Sequence, residues 1–256
     1  MWTVREDVGT LANGLEDRSR EIKIGRILAT VAGGYLLLSF IAPLAMPEGT
    51  VPELSGRANA LDYATESGWG NQNHDEDADL GHDQSAHGGT FAWTELNPLW
   101  AFAYAFGDFN CHQKHERSWE INGNQMPMCT RDVGIFFGFV IGAALFGRRG
   151  LNRWTVRDTF LSIIPDQRLE PIYLTDKRML AMLAVIGIGL APMAVDGFTQ
   201  MLTEYESNNP LRVVTGFAAG IVVGWWFSAA LCARTVYFED DPELVALPAN
   251  ARLMTK

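Results

Sequence analysis

Four stretches of this chain, 24–46, 133–147, 179–195 and 213–236, are apolar and almost free of charge. A run of roughly 18 or more such residues can cross the hydrocarbon core of a bilayer as a helix. Residues 133–147 fall short alone and reach that length if their helix begins near Cys129. The first run is too long and too far from the first residue for a signal peptide, and it lacks a small-residue cleavage site. The expected fold class is an all-α integral membrane protein with four transmembrane helices, multi-pass in the cell membrane.

One apolar stretch is left over. Residues 94–110, TELNPLWAFAYAFGDFN, are aromatic and short. As a full span they would carry Arg148 and Arg149 to the far side. An interfacial or re-entrant helical segment is expected instead, since Trp and Tyr favour the membrane boundary.

Lys and Arg collect on the cytoplasmic side of membrane proteins. Arg18, Arg20, Lys23 and Arg26 precede or open the first span. Arg148, Arg149, Arg153, Arg157, Lys177 and Arg178 lie between the second and third, and Arg234 closes the fourth. Both termini are therefore expected in the cytoplasm. The resulting plan is a cytoplasmic segment 1–23, a first span 24–46 and an acidic, mobile outer loop 47–92. Next come the interfacial segment, a Cys-His-Gln loop and the second span (93–147), then a cytoplasmic connection 148–178. The third and fourth spans with their outer loop take 179–236, and an acidic, peripheral cytoplasmic tail takes 237–256.

The net charge of −10 is concentrated in one place. Residues 47–95 carry ten acidic side chains against the single Arg57. The centre of this loop, NQNHDEDADLGHDQSAHGG, has too few apolar groups to offset the entropy of ordering it. His74, His82 and His87 lie among its carboxylates, either as part of a solvated loop or as scavengers of metal. Four lysines against sixteen arginines, with this acidity, fit a halophile proteome. No basic footprint for nucleic acid is present.

The two halves overlay. IAPLAM (41–46) and LAPMAV (190–195) end the first and third spans, and each is followed by a polar loop with a Glu-Ser or Glu-Arg-Ser element, a proline and an arginine. Gly134, Gly138 and Gly142 then match Gly216, Gly220 and Gly224. Glycine at every fourth position makes a smooth strip on which helix backbones approach closely. This pattern predicts two parallel repeats related by an axis along the membrane normal. The strips also suit a membrane-protein partner or a second copy of the chain.

The stretch CHQKHERSWEINGNQMPMCTRD, 111–132, holds two of the three cysteines beside an apolar run. Its Cys111-His112-Gln113, Arg117-Ser118, Gly123, Pro127, Cys129, Arg131 and Gly134-Ile135 resemble a signature, CHQ…RS…G…P-C-x-R…G-I, of a prokaryotic domain-of-unknown-function family of small multi-pass membrane proteins. Asp196-Gly197, Gln200, Ser207, Asn209 and Leu211-Arg212 also match it, so the resemblance covers about Asn97 to Ala233. It implies a membrane architecture and no particular chemistry. Met128 is extra between Pro127 and Cys129, and Asp132 stands where many members carry a further cysteine. His115 has no counterpart in that signature.

The residues themselves allow two readings of this stretch. Cys111, His112, Cys129 and Asp132 are a ligand set suited to a divalent metal, zinc above all. Cys129 and Asp132, three apart, share a face in a first helical turn, where the helix dipole favours thiolate and carboxylate. Arg117, Arg131 and Arg212 can then clamp a phosphate or carboxylate, with Asp196 and Glu206 as acid–base candidates. This reading is a metal-dependent enzyme at the extracytoplasmic boundary, acting on a lipid-linked or anionic substrate. In the other reading, Cys111 and Cys129 form a structural disulfide in an oxidising exterior and the arginines only pair with carboxylates. The chain is then a non-enzymatic subunit of a membrane assembly. Transport is disfavoured, because ionisable groups are scarce away from the span ends. Trp225 and Trp226 are expected to pack on lipid or a partner.

Overall fold

The computed structural model describes residues 17–56, 59–72 and 84–253. The centre of the acidic loop, with His74 and His82, and Arg57 lie outside the described residues. In chain order the helices are α1 (Ser19–Ala45), α2 (Pro98–Asn110), α3 (Thr130–Arg149), α4 (Val156–Leu161), α5 (Asp166–Leu174), α6 (Arg178–Leu202) and α7 (Asn209–Cys232). A two-stranded hairpin, β1 (Glu120–Ile121) and β2 (Asn124–Gln125), precedes α3. Of these elements, α1, α3, α6 and α7 are long and apolar enough to cross a membrane. The chain is a multi-span membrane protein.

Helix α2 has 13 residues, about 20 Å of helix, less than the hydrocarbon core is thick. It starts where Asn97 accepts the N–H groups of Leu99 and Trp100 and Pro98 takes the first turn. Helix α3 has 20 residues because it begins at Thr130, ahead of the apolar run. Helix α6 continues past Val195, where the sequence pattern would end it, to Leu202. Asp196 is paired inside the chain with Arg131 and Gln200, so its carboxylate does not have to leave the helix to find a partner.

Two compact units make up the chain, and each long helix contributes residues to both. One unit takes Met1–Ala32, Phe137–Val195 and Ala218–Lys256. Here Arg18 donates to the carbonyls of Gly147 (3.0 Å) and Gly150 (3.2 Å), and Arg20 to that of Leu231 (2.8 Å). Carbonyls at helix C-termini lack partners within the helix and favour cations. Part of the basic cluster at the start of α1 therefore serves as caps for α3 and α7. Trp225 stacks on Phe160 at 4.2 Å and donates its indole N–H to the Phe160 carbonyl at 2.8 Å. A buried indole needs such an acceptor, so Trp225 packs inside the chain, whereas Trp226 is exposed. The tail is not peripheral: Phe238, Val245 and Leu247 are buried in one cluster with Leu169 and Tyr173 of α5. A Cβ on Gly142 would collide with the carbonyl of Ile221, and one on Gly224 with that of Phe139.

The other unit takes Gly33–Phe136 and Asp196–Phe217. Here a Cβ on Gly134 would collide with the Val213 carbonyl, and one on Gly216 with the Arg131 carbonyl. The flanks of the acidic loop are folded. Val51, Leu54, Tyr63 and Phe91 are buried with Ala42 and Met46 of the α1 end and Ala103 and Tyr104 of α2. The hairpin turns at Asn122 and Gly123, both at positive φ, as a two-residue Asn-Gly turn requires. Its Asn124, fully buried, accepts from the Val51 N–H and donates to the carbonyls of Pro43 and Pro47. The hairpin thereby ties the end of α1 to the loop that follows it.

Candidate functional site

Cys111 follows α2 directly, with its N–H on the Gly107 carbonyl at 2.7 Å. Cys129 precedes α3 and its carbonyl accepts the Val133 N–H, so it occupies the cap of that helix. Gln113 brings the two segments together. Its side chain is 1% exposed, its φ is +51°, and its Nε2 donates to the Pro127 carbonyl at 2.9 Å. Pro127 also passes so close to Gly107 that no side chain fits there. The Tyr104 hydroxyl donates to the Gln125 carbonyl at 2.7 Å from the same side.

The result is a thiol–carboxylate cluster. The Cys129 N–H donates to Cys111 Sγ at 3.0 Å, and Cys129 Sγ lies 3.3 Å from Asp132 Oδ2. One ligand atom from each of Cys111, Cys129 and Asp132 lies within 4.8 Å of the other two. Cys111 is buried, while Cys129 and Asp132 are half-buried. The hydrogen bond with Cys129, together with burial, pushes the Cys111 thiol well above its ordinary range. His112 lies outside this group and is exposed.

The charged candidates form a second array. Arg131 is ion-paired with Asp196, whose side chain is 4% exposed. Gln200 Nε2 donates to Asp196 Oδ2 at 3.0 Å, and Arg212 Nη2 donates to Gln200 Oε1 at 2.8 Å. Arg212 Nε is held by the Ser207 carbonyl at 2.9 Å. Arg117 meets Glu206 at 3.4 Å, with the Glu206 side chain 71% exposed. Asp196 Oδ1 and Arg131 Nε are buried with no hydrogen-bond partner among the described residues. A buried acceptor and donor left over in an otherwise paired network mark a place where a ligand or water completes the set.

The structure thus gathers Cys111, Cys129 and Asp132, and separately Arg131, Asp196 and Arg212. Arg117 and Glu206 form a more exposed pair, and His112 is not among the three clustered ligands. Gln113 and Gln200 were not singled out as site residues by the sequence. Both stand in the sequence only as members of the family signature, and the group opposite each one reveals its role.

The chain matches the family model described as "Predicted membrane protein (DUF2085)" over residues 111–226. It is also 33% identical to an "Uncharacterized protein" of Methanocaldococcus jannaschii over 133 residues, half of this chain and 70% of that one. The chain belongs to this family of membrane proteins. A second relative, from Methanothermobacter thermautotrophicus and also described as an "Uncharacterized protein", is 35% identical over 111 residues, 43% of this chain and 78% of its own. No solved structure matches. The family match begins at Cys111 and takes in both arrays of the site, so the DUF2085 segment is the part that builds it.

Proposed function

We propose that this DUF2085 protein is a metal-dependent membrane enzyme that hydrolyses or transfers a group on an anionic, lipid-linked substrate. The observation that carries this is the gathering of Cys111, Cys129 and Asp132 within 4.8 Å beside a guanidinium array. A tetrahedral zinc ion sets thiolate and carboxylate ligand atoms roughly 3.6 Å apart. The 3.3 Å between Cys129 Sγ and Asp132 Oδ2 is close to that. A bound divalent ion supplies a Lewis acid and a water acidified toward neutral pH. Around it, Arg131 and Arg212 hold an anionic group, Arg117 screens its approach, and the unpartnered Asp196 Oδ1 accepts a proton. Gln200 keeps Asp196 and Arg212 in register.

The test is elemental analysis of the protein purified without chelators, followed by assays on lipid-linked phosphates. Zinc or a similar ion that is lost in both Cys129→Ala and Asp132→Ala, together with hydrolysis, supports the reading. A metal-free protein with a Cys111–Cys129 bridge by mass spectrometry sinks it. That outcome is the second reading, motivated by the Cys129 N–H on Cys111 Sγ at 3.0 Å. Such a bridge closes a short loop and contributes roughly 3 kcal/mol. The chain would then be a recognition or assembly subunit.

We also read the chain as two parallel repeats with both termini in the cytoplasm, α2 lying at the interface and the site on the outer side. Gly216 and Gly224 lie 82 positions beyond Gly134 and Gly142, and each glycine meets the other helix of the pair. Gly134 abuts Val213 while Gly216 abuts Arg131, and 213 is again 82 beyond 131. Reciprocal contact at a constant offset is what a two-fold axis between parallel helices produces. The exposed Leu99, Phe102 and Phe109 of α2 suit an interfacial position.

A further inference from the structure

A second group of ligand-type side chains lies away from the cysteines. Glu53, His87 and His115 each offer an atom within 4.8 Å of the other two. The His87 and His115 rings are 4.7 Å apart between centroids, and His115 Nε2 is 3.7 Å from Glu53 Oε2. A tetrahedral ion with bonds of about 2.1 Å sets its nitrogen and oxygen ligands roughly 3.4 Å apart. The group is thus a small side-chain adjustment from coordination.

The backbone holds this geometry in place. Gln84, 1% exposed, accepts the Ser55 N–H at 3.0 Å. Its amide donates to the carbonyls of Glu53 (2.8 Å) and Gly89 (2.9 Å). One buried side chain therefore fixes the turn carrying His87 against the segment carrying Glu53. Gly88 and Gly89 follow His87 at positive φ and turn the chain back. On the other flank, the His115 N–H donates to the Leu54 carbonyl at 3.0 Å, and Lys114 bridges to Ser55. The three ligands thus come from three segments, each tied to residues 53–55.

The imidazole of His115 lies between two carboxylates. Its Nε2 faces Glu53, while its Nδ1 faces Glu116 Oε2 at 3.6 Å. That Nδ1 is buried and makes no hydrogen bond among the described residues. A ligating histidine donates its other N–H to a carboxylate, which sets its tautomer. Glu116 stands where that acceptor belongs.

We propose that Glu53, His87 and His115 form a second site for a zinc-class divalent cation, independent of the cysteine cluster. Two histidines and one carboxylate leave a fourth position open to water. Two of the three ligands lie before residue 111, outside the family match, so the site belongs to the long loop of this chain. Its ion staples the 84–89 turn and the 53–55 segment to the start of the Cys111–Asp132 stretch. Glu116 is a positioning residue.

The test uses the tag-free full-length chain in detergent and cobalt(II) as the probe. Cobalt at thiolates shows an intense sulfur-to-metal charge-transfer band, whereas cobalt at His and Glu shows only weaker d–d bands. A Cys111→Ser/Cys129→Ser variant is expected to keep about one cobalt per chain with d–d bands alone. Adding His87→Ala or Glu53→Gln should weaken that binding at least ~100-fold, and Glu116→Gln should weaken it about 10–100-fold. Zinc should raise the thermal midpoint of the Cys111→Ser/Cys129→Ser variant and not that of its His87→Ala derivative, with the metal-free midpoints equal. Failure of the Cys111→Ser/Cys129→Ser variant to bind cobalt overturns the proposal, as does binding that His87→Ala and Glu53→Gln leave unchanged. Loss of the charge-transfer band alone bears on the cysteine centre and leaves this result readable.

Discussion

Asp108 is 1% exposed and accepts three N–H bonds, from Asp62 (3.2 Å), Tyr63 (2.9 Å) and the Trp93 indole (3.0 Å). It anchors the folded flanks of the acidic loop to α2. Asp108→Ala strands three donors, and a loss of about 3 kcal/mol is expected in detergent unfolding. Burial pushes the Asp108 carboxyl above its ordinary range, against the pull of those N–H bonds. A raised folded value means that its contribution to stability is fully present below the ordinary carboxylate range. That contribution is lost as pH rises through the raised value. Relative to Asp108→Asn, which does not titrate, the wild-type thermal midpoint should therefore fall as pH rises above the ordinary carboxylate range. A flat difference would refute this. Gln200 permits a similar test. Gln200→Ala removes the bridge between Asp196 and Arg212 and should cost about 1–2 kcal/mol, with binding of an anionic ligand weakened in parallel.

At the scale of the element, the glycine strips are engaged inside the chain. Gly134, Gly142, Gly216 and Gly224 each face the backbone of α3 or α7, which leaves those four no free face for a second copy. Gly142→Val and Gly216→Leu should each cost about 3 kcal/mol or prevent folding, because backbone carbonyls cannot move aside. A Cβ added at Gly34 would meet nothing within 4 Å, so Gly34→Ala should be neutral to stabilising by about 1 kcal/mol, as for alanine in a helix. Unfolding midpoints of the three variants settle the comparison, and equal effects would refute it. The same strips explain how helix burial divides. Half of the most apolar window of α7 is buried within the chain, at 50%, against 11% for α6. Exposed Leu180, Leu183, Ile188, Val195 and Leu202 on α6 carry no penalty when their solvent is lipid.

For the molecule as a whole, the proposed orientation rests on the Lys and Arg that precede the first span, lie between the second and third, and close the fourth. Glu120 in the hairpin and Glu239 after α7 are exposed and lie on opposite sides in this reading. In intact cells, an impermeant maleimide should label Glu120→Cys and label Glu239→Cys only after lysis. The reverse pattern would invert the topology and move the site to the cytoplasm. Long apolar runs were legible without coordinates because a bilayer imposes a length and a polarity on every helix that crosses it, whatever that helix packs against. Cys111, Cys129 and Asp132 were legible as ligand types, and Asp196 and Arg212 as charges beside the membrane. Their assembly was not, because it depends on which segments the hairpin and Gln113 draw together. Tertiary structure alone decided that Arg131 meets Asp196 and that Trp225 turns inward to Phe160. It also set His87 beside His115 across 27 intervening residues. Contacts between groups distant in the chain are selected by packing and by the need to satisfy buried polar atoms, and neither leaves a periodic trace in the residues themselves.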